Sequence, residues 1–290
     1  MHELLLFGQV TADRQDQVLK ILAGLAGMQP ERVVRRHLVF KPTISPNTRN
    51  TQIGASQGIQ NRQMQSLQGQ LQGELFYLQL VRDVDEDWVS PSHESSKAPN
   101  QTGVNGSSGY EASSVFRSSG AQGPPEEDDA KSHSWSVRFN DLPEVAGRRP
   151  VTSRMISIID VSDGDPIAFM NKFGYNLISE YVLEGHRFAH KNMNLLLHRI
   201  LRFPADSGSG QSDKSGGLKA PWKSLPPYNS FSPLDPSNAL VLEASIRIQD
   251  GNKPETMTLG MGELKAFRDA MKGVVEMEVG DRLALDTRVR

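Results

Sequence analysis

Hydrophobic and polar positions along the chain fall into two rhythms. Strict alternation marks the first. Residues 239–249 place Leu240, Leu242, Ala244, Ile246 and Ile248 on one face, with Val241, Glu243, Ser245, Arg247 and Gln249 on the other. This is the period of a strand with two different surroundings. Looser alternation over 3–10, β-formers on both faces over 74–82, and the patterns of 33–41, 134–140 and 152–161 predict further strands. A hairpin follows over 175–188 and 191–203, turning near His190-Lys191-Asn192. In 33–41, Val34, Leu38 and Phe40 oppose Arg35, His37 and Lys41.

The second rhythm is helical. Val18, Leu22 and Leu25 recur at i, i+4 and i+7 over 12–26, with Thr11 or Asp13 as the cap and Gly27 as the stop. Asp165-Pro166 reads as the cap and first residue of a short helix ending at Gly174. Pro254 opens a long helix to about 272, striped by Met257, Met261, Leu264, Phe267 or Arg268, and Met271. The tail 274–290 is mixed, a strand or a short helix. Consecutive strands without intervening helices favour antiparallel pairing, and closure would remove exposed edges. The predicted class is α+β: a mainly antiparallel, closed β-barrel of about eight strands, with two long flanking helices and one short helix.

Between these elements lie polar stretches at about 42–73, 84–133 and 205–220, the last extending as far as 238 by composition. The second holds only 11 residues of the hydrophobic class, four of them Ala. Ordering 50 backbone residues costs roughly 50–100 kcal/mol, at about 1–2 each. Burying so few side chains returns about 20 kcal/mol, at roughly 2 each. These stretches are expected to be disordered insertions in one domain spanning 1–290, which the weak length dependence of loop closure tolerates. The balance of 32 basic against 34 acidic residues argues against attachment to nucleic acid or membrane by bulk charge. The absence of cysteine excludes disulfides and thiolate chemistry. No apolar run reaches the ~20 residues of a membrane helix, and the first ten residues lack the basic start of a secretory signal.

Candidate chemistry is sparse. The string 54–58 spells G-x-S-x-G but sits in Gln-rich sequence without the strand a nucleophile elbow needs. His186 and His190 have metal-ligand spacing only on a helix, and their context is strand and turn; His198 reads as a sheet residue. Alternation splits Arg32, Arg35, Arg36, His37 and Lys41 between two faces. Asn100 and Asn105 begin glycosylation sequons, which matter only in a secreted protein. The Pro-rich segment 218–234 carries Trp222, Tyr228, Phe231 and Leu234. It either docks a partner as an extended peptide or packs along its own barrel.

The blocks MHELLLFGQV, ELFYLQLVRD, WSVRFNDLPE, FGYNLISEYVLEGHRFAHKNMNLLLHRIL, LEASIRIQDG and ELKAFRDAMKGVVEMEVGDRLALDTRV occur in this order. In this they resemble the subunit 18 family of the Mediator complex of filamentous fungi. That resemblance implies a β-barrel with flanking helices in the head module of a nuclear coactivator of RNA polymerase II. It implies a heterodimer with the related barrel subunit 20, a held C-terminal helix of subunit 8, and contacts with other head-module subunits. No cofactor, membrane or sequence-specific nucleic acid is implied, and the role is non-enzymatic. The family fold is similar to that of the metal-dependent tunnel triphosphatases, which supplies an enzymatic alternative. Those enzymes carry an E-x-E-x-K string, and Glu276-Met277-Glu278-Val279-Gly280 has Gly in place of Lys. The apolar alternation further predicts a lumen with only scattered charge, hence a scaffold.

Overall fold

The computed structural model describes residues 1–42, 75–84, 88, 134–145, 150–161, 164–204, 220–222 and 224–289. The string at 54–58, both sequons and most of the first two polar stretches lie outside these residues.

Nine strands form one antiparallel sheet: β1 (His2–Val10), β2 (Glu31–Pro42), β3 (Leu78–Asp83), β4 (Trp135–Asn140), β5 (Thr152–Val161), β6 (Tyr175–His190), β7 (Met193–Arg202), β8 (Ser232–Pro233) and β9 (Leu240–Ile248). The order is β6-β2-β3-β4-β5-β1-β9-β7, and β6 pairs with β7 to close an eight-stranded ring. The two-residue β8 lies on the outside of this count, added to β7. Three helices flank the ring: α1 (Gln15–Ala26), α2 (Pro166–Lys172) and α3 (Pro254–Met271).

Local chemistry sets the ends of these helices. Asp165 accepts a hydrogen bond from the Ile167 amide at 2.8 Å, with Pro166 following. Gly27 takes φ 65° and Gly273 φ 84°, the left-handed conformation that ends a helix cheaply only without a Cβ. The 12–14 part of the first helix is a 3-10 turn. The β6–β7 hairpin turns at Lys191 and Asn192, with Lys191 at φ 54°.

Because the sheet is closed, both strand faces are covered, but differently. The outer apolar face of β1, β7 and β9 meets α1 and α3, joining Leu4, Leu6, Leu242 and Ile246 to Val18, Leu22, Leu264 and Phe267. Phe267 rather than Arg268 takes the inward helical position. A second cluster joins Leu38, Leu80, Val137 and Phe139 to Met170 of α2. Strand β3 begins at Leu78 rather than 74, since Phe76 makes only an isolated bridge, to Arg288.

The tail forms neither of the two predicted elements. Beyond Leu5, β5 no longer pairs with β1, and the tail takes its place. Phe7 and Glu278 exchange two backbone hydrogen bonds, at 2.9 and 2.7 Å. Further on, the Tyr77 amide donates to Thr287 O and the Val289 amide to Leu75 O, each at 2.7 Å. The tail satisfies backbone groups the barrel leaves open at this end.

Candidate functional site

Strand parity assigns the lumen. Facing the helices are the even positions of β1, β2 and β9, so the odd ones point inward. The inner set includes Glu3, Arg35, His37, Gln79, Asp83, Arg138, Arg154, Tyr181, His198, Glu243 and Arg247. Electrostatic pairs across the ring agree: Arg138 on β4 acts with Arg247 on β9, and Glu243 on β9 with Arg35 on β2. This corrects the expectation of a lumen with only scattered charge. Alternation of Leu and Ile with polar residues reported the outer face, which α1, α2 and α3 cover. The polar half of each strand is what a closed barrel turns inward.

The inner residues form ion pairs. Arg154 bonds Glu3 at 2.7 Å, and Arg247 approaches the same carboxylate at 3.4 Å. Arg35 bonds Asp83 at 2.8 Å. His37 stacks on Tyr181 with centroids 4.7 Å apart, and its Nδ1 lies 3.2 Å from both Gln79 Oε1 and the Tyr181 hydroxyl. Burial holds His37 neutral, lowering its pKa to about 3, and lowers that of His198 to about 4. Burial, reinforced by Glu3, pushes the Glu243 carboxyl up to about 7.

Outside the ring, residues 220–222 and 224–238, which composition places in the longer form of the third polar stretch, run along the barrel wall. Trp222 stacks on Phe203 at 5.4 Å between centroids, and Phe231 meets the same ring at 4.8 Å. Trp88 packs edge-on against Tyr228 and Phe231 and donates its indole N–H to Pro226 O at 2.9 Å. These rings cover Val34, Val182 and Leu201, on the outer faces of β2, β6 and β7.

Buried charge fixes both ends of this strap. Glu180 accepts from Arg36 at 2.6 Å and from the Trp222 amide at 3.1 Å. Glu184 accepts from Tyr228 at 2.6 Å, Arg32 at 3.0 Å and Arg199 at 3.1 Å. Burial raises the Glu184 pKa, but the bonds from Tyr228 and Arg199 outweigh burial and hold it below the ordinary value. The strap therefore brings Trp222, Tyr228 and Phe231 together against their own barrel. Leu234, just past them, is turned to solvent, 56% exposed.

Leu234 lines a cleft of about 970 Å³ at the end of the barrel closed by the tail. Phe7, Gln9, His198, Val241 and Val279 share it, and Val241 is 38% exposed. Its concave, mixed apolar and polar lining has the character of a ligand or peptide cleft. Sequence reading missed Trp88, Glu180 and Glu184. A tryptophan within a polar stretch was the available signal for the first. The two acids became visible only when β6 placed them beside Arg36, Arg32 and Arg199.

The remaining candidates are dispersed. Arg32 and Arg36 face outward and Arg35 inward, each with a carboxylate partner. His186 sits near Arg32 and Arg199 on the outer wall, and His190 at the hairpin turn. Glu276 and Glu278 are exposed on the tail and line the cleft at the barrel end, with Glu278 paired to Phe7. Among the described residues no group of three His, Asp or Glu side chains is arranged to hold a metal ion.

Comparison with known proteins adds the lineage. The sequence model described as Med18 protein matches residues 2–288. The chain is similar to "Mediator of RNA polymerase II transcription subunit 18" of Aspergillus fumigatus, 38% identical over 100% of both chains, and of Aspergillus niger, 37% identical over 100% of both. A solved chain of the Schizosaccharomyces pombe Mediator head module superposes with TM-score 0.58 at 14% identity, covering 97% of this chain and 99% of that one, a likeness of fold. With a family model matched nearly end to end and relatives more than one third identical over their whole length, the chain belongs to the Med18 family.

Proposed function

We infer that the chain is a non-enzymatic structural subunit of Mediator that supports RNA polymerase II transcription through protein contacts. The full-length match to the subunit 18 relatives carries this reading. The fold favours it physically. Two long helices and an aromatic strap pack on the outer wall, and a preformed surface binds with less ordering cost.

Partners within the head module follow from this role, and the complex would work in the nucleus. At the finer level, the related barrel subunit 20 and the C-terminal helix of subunit 8 are the proposed direct partners. The cleft at Leu234 and Val241 is the proposed docking surface of this face. Its exposed apolar side chains are flanked by the fixed strap and tail, so an entering helix or strand would bury them against ordered walls.

The reading is tested by expressing the tagged full chain in a fungal host and isolating it at moderate salt. Stoichiometric recovery of head-module subunits is expected. Recovery of the chain alone, in monomeric form, would overturn the assignment.

A further inference from the structure

Arg202 ends β7 as an exposed cation without a carboxylate partner among the described residues. Its Nε donates to a neutral group, the Ser232 hydroxyl oxygen, at 2.9 Å. Nearby arginines are matched with acids: Arg32 and Arg199 with Glu184, and Arg187 with Glu31. Asp235, the acid nearest Ser232 in sequence, turns to its own loop. It accepts from the Ser237 hydroxyl at 2.8 Å and from the Ser237 amide at 2.9 Å. A guanidinium presents a fork of donors, and a single hydroxyl oxygen engages little of it.

The serine in this contact is followed by proline. Ser232-Pro233 makes up the whole of β8, which pairs with Leu201 and Arg202 on one edge and with no described strand on the other. Phe231 enters β8 at φ -80° and ψ 149°, so the chain is extended where it reaches the serine. Residues 229–230 before it and 234–237 after it are exposed. Protein kinases take a substrate serine from an extended segment. Those of the proline-directed class leave the amide of the next residue without an acceptor, and proline has no amide hydrogen to lose by this. The sequence holds two other Ser-Pro pairs, Ser45-Pro46 and Ser90-Pro91, both outside the described residues.

We propose that Ser232 is phosphorylated by a proline-directed serine/threonine kinase, and that Arg202 is the receptor the fold holds ready for the phosphate. In that step Ser232 Oγ attacks the γ-phosphorus of ATP. The new O–P bond replaces the bond to the β–γ bridging oxygen, ADP leaves, and the serine proton passes to the kinase's base. The product carries about 1.5–2 negative charges at neutral pH and several acceptor oxygens, so a neutral contact with Arg202 becomes a charge-assisted one. The anchors on either side stay in place: Phe231 against Phe203 at 4.8 Å, and the Leu234 amide on Ile200 O at 2.8 Å.

The phosphate fastens the strap beyond Tyr228, where the hold of Glu184 ends. Pro233 and Leu234 line the cleft at the barrel end, so the same event adds negative charge at the rim of the surface proposed for docking. Neither the site nor its test depends on the assembly role, because the modification is read on the chain alone.

The test incubates the full chain with a mitogen-activated-type kinase and MgATP and locates phosphate by peptide mass spectrometry. Modification of Ser232 is expected, and its loss in Ser232→Ala. Hydrogen exchange over 228–238 should then slow about tenfold in the modified parent, the effect of one hydrogen bond to a charged group, while β1 and β9 are unchanged. In Arg202→Gln, altered at an exposed strand end, the kinase should still modify Ser232 but exchange should not slow. A kinase active on a standard peptide that leaves Ser232 unmodified would overturn the site, whether or not Ser45 and Ser90 are labelled. Exchange that quickens on modification, or slows equally in Arg202→Gln, would overturn Arg202 as the receptor.

Discussion

Tyr228 donates its phenolic hydrogen to Glu184 at 2.6 Å, joining a proline-rich strap to the outer face of β6. The same carboxylate takes guanidinium groups from β2 and β7, so a single side chain on β6 ties three strands and the strap together. Removing that hydroxyl as Tyr228→Phe leaves the ring in its aromatic cluster and the carboxylate with its two arginines. The expected cost is about 1.5 kcal/mol, the low end for a hydrogen bond to a charged group. Hydrogen exchange should quicken over 224–234 while β1 and β9 keep their protection.

Acid should release the strap before it unfolds the barrel. The Glu184 pKa is held below its ordinary 4.5 in the folded chain. Its contribution is therefore present in full above 4.5 and is lost as pH falls through the lower folded value. Fluorescence of Trp222, which lies in the strap, and of Trp88, which packs against it, should change in this acidic window. Glu184→Gln should remove that step.

The buried histidines act over a higher range. His37 and His198 titrate near 3 and 4 in the fold, against an ordinary 6.5. Between 6.5 and 4 the unfolded chain binds protons that the folded chain refuses, so stability falls steadily as pH drops across this window. Denaturant midpoints at pH 7, 6 and 5 should decline, and His37→Gln should flatten that decline.

Gly185 pairs with His198, across β6 and β7, at an unusually close approach. A Cβ there would lie 2.3 Å from the Leu197 carbonyl oxygen and 2.8 Å from His198 Cα. Backbone atoms cannot step aside as a flexible side chain can, so Gly185→Ala is expected to destabilise by about 3 kcal/mol, at the upper end of overpacking costs. Leu264→Ala, which opens a void between α3 and the barrel, should cost about 2–5 kcal/mol. Urea unfolding measures both.

Much of this architecture was legible because alternation survives in β2, β4 and β9, and because Asp165-Pro166, Gly27 and Pro254 mark helix ends by local chemistry. Consecutive strands without intervening helices pointed to closure, and the resemblance in the ordered blocks supplied lineage. Other features depended on adjacency that one sequence does not state. His37 reads as a polar-face residue until closure turns that face into a lumen. Glu180 and Glu184 read as solvated acids until β2 and β7 bring arginines to them. The tail could not be assigned because its partners, Phe7 and 75–77, lie far away in sequence and are available only where β5 leaves β1. The aromatic strap looked like linker because proline and serine dominate its composition, whereas its few rings find Phe203 and Trp88.

Leu234 and Val241 give the docking surface a specific prediction. Both are exposed, so Leu234→Arg should leave the unfolding midpoint unchanged within about 0.5 kcal/mol, the usual range for a surface substitution. It should weaken partner binding at least tenfold if the cleft is the contact, and a competition titration would read this.

The most direct measurement is the mass of the full chain after co-expression with subunit 20 and the C-terminal segment of subunit 8, by size-exclusion chromatography with light scattering. A single species with one copy of each is predicted, persisting on dilution. A monomer that elutes apart from both partners would contradict the assembly role.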